Sequence, residues 1–114
     1  MLSKDELVAI GRPKVKTVNI EGVGEIGVVE ISGADYTAIQ AASVKLADAD
    51  GVKHYKYAHV AACLVDDTGN KLFANAAEAE EFASTINNAT FEAICVAIAA
   101  HNGIKETVED AVKN

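Results

Sequence analysis

The hydrophobic pattern of this chain changes period once, at Ser32-Gly33-Ala34-Asp35, and that change sets the fold class. Before it, apolar residues alternate with polar ones, as a half-buried strand requires; after it they recur at helical spacing. Val18 and Ile20 alternate with Asn19 and Glu21, and Ile26 and Val28 flank Gly27. The two strand patterns, Val15–Ile20 and Glu25–Ile31, are joined by Glu21-Gly22-Val23-Gly24, which is the signature of a β-hairpin. Val29 and Ile31 shift the alternation, and a bulge at Val28-Val29 would account for it. A hairpin followed by helices makes an α+β domain.

Downstream of the switch, four helical segments are expected. Ser32 is placed to accept a first-turn amide while Asp35 reaches back, a capping box with Asp in the usual Glu position. The first helix then spans Ala34–Ala47, with Tyr36, Ile39, Ala42, Ser43 and Leu46 on one face and Asp48-Ala49-Asp50-Gly51 ending it. Residues 54–65 admit two readings. Tyr57, Val60, Ala61 and Leu64 follow i, i+3, i+4, i+7 and favour a helix, while the tyrosines favour a strand. Asp66–Asn70 is a polar turn, after which Leu72 and Phe73 form a short extended anchor. Asn75, with Glu78 three residues on, opens a helix over Ala76–Ala83. Asn87 or Asn88 starts the last long helix, whose Phe91, Ile94, Cys95 and Ile98 make a buried stripe. Gly103 stands where a left-handed residue closes it.

All of this fits one small domain over residues 1–114. Its ends are expected to be loose. Residues 1–13 carry a weak helical pattern (Leu2, Leu7, Ile10) cut off by Gly11 and Pro13, and 104–114 form a mobile acidic segment. Half the residues are hydrophobic, which separates the chain from disordered ones. Much of that half is alanine, with no Trp and three Phe, so the core should be shallow and its helices closely spaced. A net charge of −7 with no basic stretch disfavours nucleic acid and anionic membranes as partners. No apolar run approaches the roughly 20 residues of a membrane span, and the acidic N-terminus is no signal peptide. Cys63 and Cys95 sit far apart in apolar surroundings and read as free buried thiols of a reducing compartment.

Few residues suggest chemistry. Asp66, Asp67, Gly69 and Asn70 resemble part of a calcium loop, but counting from Asp66 puts Thr68 at position 3, Gly69 at 4 and Ala77 at 12, so the spacing fails. His59 and Cys63 share a helix face at i, i+4, yet His54 points elsewhere, and His101 and Cys95 would have to arrive from another helix; surface histidines and a small apolar Cys explain them better than a metal. His101 sits near a helix C-terminus, where the dipole favours it. Neither cysteine lies beside basic residues that would activate it as a nucleophile. Gly22, Gly24 and Gly27 spell GxGxxG but run into a strand rather than a helix, so the match is accidental. No catalytic, cofactor or metal residue is therefore assigned. Glu78, Glu80 and Glu81 form an acidic face, ordinarily just solvated, and are the one candidate surface for a basic partner.

The order of elements resembles the small tail assembly chaperones of long-tailed bacteriophages and prophages. The resemblance rests on the opening MLSKDELVAI, on the strand pair leading into Glu30-Ile31-Ser32-Gly33-Ala34-Asp35, and on Leu64 to Phe73 (LVDDTGNKLF). It closes on Phe91, Ile98 and His101-Asn102-Gly103-Ile104 with an acidic tail from Glu106 to Asn114. The chain differs from the family in carrying His54-Tyr55-Lys56-Tyr57 where an arginine-rich stretch is usual. The resemblance implies a non-enzymatic protein of the host cytoplasm that binds the apolar tape measure protein, keeps it soluble, helps recruit tail tube protein, and is absent from the mature virion. Alanine-rich faces suit self-association as well, so a homo-oligomer is compatible with them. Two other classes compete: a head–tail or tail component retained in the virion, and a small metal- or thiol-dependent enzyme. A programmed frameshift extends many such chaperones, and Val112-Lys113-Asn114 can be encoded by a slippery run.

Overall fold

The computed structural model describes residues 1–104. The helical turns expected at 105–113, the slippery run at 112–114 and, but for Ile104, the segment 104–114 expected to be mobile lie outside the described residues. Along the chain run α1 (Lys4–Gly11), β1 (Val15–Ile20), β2 (Gly24–Val29), α2 (Gly33–Leu46), α3 (Asp48–Cys63), β3 (Leu64–Val65), α4 (Ala76–Ala83) and α5 (Asn88–His101). The fold is α+β, with four helices after the hairpin and one short helix before it.

The hairpin pairs Val15 with Val29 through Ile20 with Gly24 without interruption, so there is no bulge at Val28-Val29. The alternation breaks because the strand ends at Val29. Beyond it Glu30 N–H still reaches Lys14 O (3.0 Å), and Ile31 N–H donates to Asn102 Oδ1 (2.7 Å), which turns the chain toward α5. A third strand, made by the last two residues of the ambiguous 54–65 segment, extends the sheet to the order β1-β2-β3. Val65 sits against Gly27 and Leu64 against Val28. Gly27 is what lets β3 in: a Cβ there would stand 2.8 Å from Val65 O.

Residues 54–65 resolve the sequence ambiguity in both directions, helix to Cys63 and strand for the last two. Asp48-Ala49-Asp50-Gly51 does not end a helix but forms the first turn of the next. The reversal occupies Ala47 (φ 59°, ψ 170°) and Asp48 (φ 47°), both non-glycine residues with positive φ. No side chain caps α3; instead Asp48 and Asp50 place negative charge at its positive end.

The other termini follow local rules. Ser32 Oγ accepts Asp35 N–H (3.1 Å), and Asn75 and Asn87 cap α4 and α5 through Glu78 N–H and Thr90 N–H. Gly103 (φ 66°) closes α5, with Gly103 N–H to Ala100 O and Ile104 N–H to Ala99 O, a Schellman arrangement. Val28, Val60, Cys63, Leu64, Ala79, Phe91, Ile94 and Ile98 make the main core, where α3 and α5 lie on the sheet. A smaller cluster of Ile39 and Tyr55 joins α2 to α3. Of the face expected on α2, Ile39 and Ser43 are buried, but Leu46 is exposed. The N-terminal arm forms a real helix, held by a Ser3–Glu6 capping box, yet none of its residues is buried.

Candidate functional site

The sites suggested by the sequence separate in space. Asp66 closes a tight turn: its Oδ1 accepts from Thr68 N–H (2.9 Å), Thr68 Oγ1 (2.7 Å) and Asn70 N–H (3.0 Å). The Thr68 hydroxyl first, then the amides of Asn70 and Thr68, hold its carboxyl below the usual carboxylate range. His101 does more than face a helix end, since its Nε2 donates to Lys14 O (3.0 Å) and pins the start of β1 to α5. His59 is not a surface residue, as the sequence reading had it. It is 5 % exposed, its Nδ1 donates to Tyr55 O (2.8 Å), and Nε2 is buried with no hydrogen-bond partner. A core histidine arises here because Tyr36 and Tyr55 pack around its ring at 5.7 and 4.4 Å. Burial pushes its pKa below the ordinary imidazole value.

Both cysteines are free. Burial raises each thiol to about 11, with Asn102 only partly offsetting this at Cys63. Among the described residues no three His, Cys, Asp or Glu side chains gather as a metal site would need. Likewise, no helix among them is long and apolar enough to cross a membrane.

The acidic trio is divided by the geometry of α4. At about 100° per residue, Glu78 and Glu81 share a side while Glu80 points away. Glu80 pairs with Lys53 (2.9 Å), and Glu78 accepts Ala74 N–H (3.2 Å) in the cap of its own helix. Only Glu81 presents a carboxylate without a pairing among the described residues. The surface carrying the trio is thus less concentrated than its sequence suggests.

A different surface is more distinctive. A cleft of about 690 Å³ runs along the sheet, from Val15 to Val23 in the hairpin turn. Val65, Leu72, Phe82 and Ile86 line it, and Phe82 is stacked on Phe73 at 4.8 Å. Glu25, Asp66 and Asp67 also border it, while no lysine, arginine or histidine does. No local sequence signal could have shown this cleft, because it is assembled from the hairpin, β3, the Asp66–Leu72 turn and both last helices. A smaller cleft of about 230 Å³ between α3 and α5 is bordered by His59, Cys95 and the Lys56–Glu92 ion pair (3.0 Å). Burial holds the Cys95 thiol neutral, and His59 Nε2 is itself buried, so neither is set up as an activated nucleophile or exposed base.

No family model matches this chain, and comparisons with curated proteins and with solved structures find no match either.

Proposed function

We propose that this protein is a non-catalytic tail assembly chaperone of a long-tailed bacteriophage or prophage. In this reading it acts in the host cytoplasm, holds the tape measure protein soluble, and helps recruit tail tube subunits before leaving the assembly. Support comes from the family resemblance and, above all, from the open apolar cleft on a strongly acidic chain. An apolar surface left uncovered in a small domain is a common mark of protein binding. The exposed apolar residues of the N-terminal arm (Leu2, Leu7, Val8 and Ile10) add to that surface.

Co-expression with the neighbouring large, coiled-coil-rich gene product tests the reading. The partner should become soluble and co-purify only when this chain is present. A partner that stays insoluble, or ignores this chain, would overturn the chaperone function and put the retained virion component ahead.

A further inference from the structure

Three of the chain's exposed large apolar side chains meet at one place. Val15 (53 % exposed), Val23 (48 %) and Leu72 (49 %) all line the sheet cleft, together with half-buried Ile26, Phe82 and Ile86. Its charged lining is wholly acidic. Asp66 is held ionised by its own turn, and Glu25 and Asp67 are solvent-exposed. The cleft follows a ladder whose ends are Val15 opposite Val29 and the turn at Val23. Six-residue strands give it a length of about 20 Å. An α-helix of about 13 residues has that length, and its apolar stripe suits a trough lined by Val15, Val23, Ile26, Leu72, Phe82 and Ile86.

We propose that this cleft docks an amphipathic helix of a partner protein whose apolar stripe is flanked by Lys or Arg. The inference rests on the chaperone reading and names the surface and the kind of client segment it takes. A second copy of this chain is the poorer occupant. Each copy carries −7, and α1, a helix with no buried residue, would bring Asp5 and Glu6 toward an acidic rim. Cationic flanks, by contrast, lie against Glu25, Asp66 and Asp67, with the attraction strongest at low salt.

The test uses the full chain, ¹⁵N-labelled, titrated with two 14-residue peptides. Both carry leucines at i, i+3, i+4 and i+7; one has lysine flanks and the other glutamate flanks. The lysine peptide should shift the amides of Val15, Val23, Leu72 and Phe82 saturably and bind at least tenfold more tightly than its acidic twin. Leu72→Asp and Val23→Asp should each weaken it at least tenfold. Both positions are half exposed, so these variants should keep the fold, which circular dichroism checks. Val96→Asp, a still more exposed apolar position on α5 outside the cleft, should leave it unchanged. The rim pair Glu25→Lys/Asp67→Lys should erase the preference for lysine.

Equal binding of the two peptides would overturn the proposal. So would shifts confined to α1, to the β1 edge or to the α3–α5 cleft, or indifference to Leu72→Asp and Val23→Asp. Co-expression separates this failure from failure of the chaperone reading. If wild type and Leu72→Asp solubilise the tape measure protein equally, the cleft is wrong and the chaperone stands. If wild type itself fails, the chaperone reading falls, and the resting inference with it.

Discussion

His59 is the residue whose protonation the fold resists most visibly, because burial disfavours its cation and its Nδ1 already donates to Tyr55 O. Its pKa is lower folded than unfolded, so the unfolded chain binds the extra proton first. That contribution to stability is complete above the unfolded imidazole value of about 6.5 and is lost as pH falls below it toward the folded pKa. Melting temperature should therefore decline as pH is lowered from about 7 to about 5, above the range where carboxylates titrate, and His59→Leu should flatten that decline. An unchanged slope in the variant would assign the effect elsewhere. Cys63, fully buried with its thiol raised to about 11, should react with a thiol reagent at pH 8 only as fast as the protein opens. Urea should accelerate the labelling sharply. Gly27→Ala must push Val65 O away from a Cβ placed at 2.8 Å and should cost about 1–3 kcal/mol in a urea melt. Gly27 serves β3, which pairs directly beside it, and not the accidental GxGxxG spacing.

At the level of elements, signals carried within four or five residues were legible. Ser32, Asn75, Asn87 and Gly103 mark helix ends because each cap is a contact between near neighbours in sequence. The α2–α3 reversal was not legible, since Asp-Ala-Asp-Gly reads as a stop when its aspartates are in fact serving the start of the next helix. Ala47 bears the consequence, with a backbone conformation that glycine alone adopts without strain. Ala47→Gly should raise stability by roughly 1 kcal/mol, net of the glycine's own entropy cost, as read from thermal melts. A lower melting temperature would mean the reversal is not strained. The arm behaves in the opposite way: α1 has its capping box but no buried residue, so deleting residues 1–11 should change unfolding free energy by less than about 1 kcal/mol. A larger loss would show that α1 packs against the domain.

Over the whole molecule, the acidic charge is spread rather than focused. Glu80 is occupied by Lys53 and Glu78 by a helix cap, so reversing all three α4 glutamates to Lys tests more than steering. Partner binding should weaken in that variant more at low salt than at high salt, whereas the Lys substitution at Glu78 also removes part of a cap and lowers stability at any ionic strength. Affinity unchanged across salt would remove the steering role. The cleft could not be read from the sequence because its walls come from positions as distant as Val15 and Ile94, brought together only by the finished fold. The same long reach governs Asn102, whose side chain accepts from Ile31 N–H across 71 positions and donates to Ile98 O. With His101 holding Lys14 O, the end of α5 fastens both margins of the hairpin. On a ribosome, therefore, both fastenings form only after the last helix has emerged. Until then the hairpin's apolar residues Val18, Ile20 and Ile26 lack the cover of Phe91, Ile94 and Ile98.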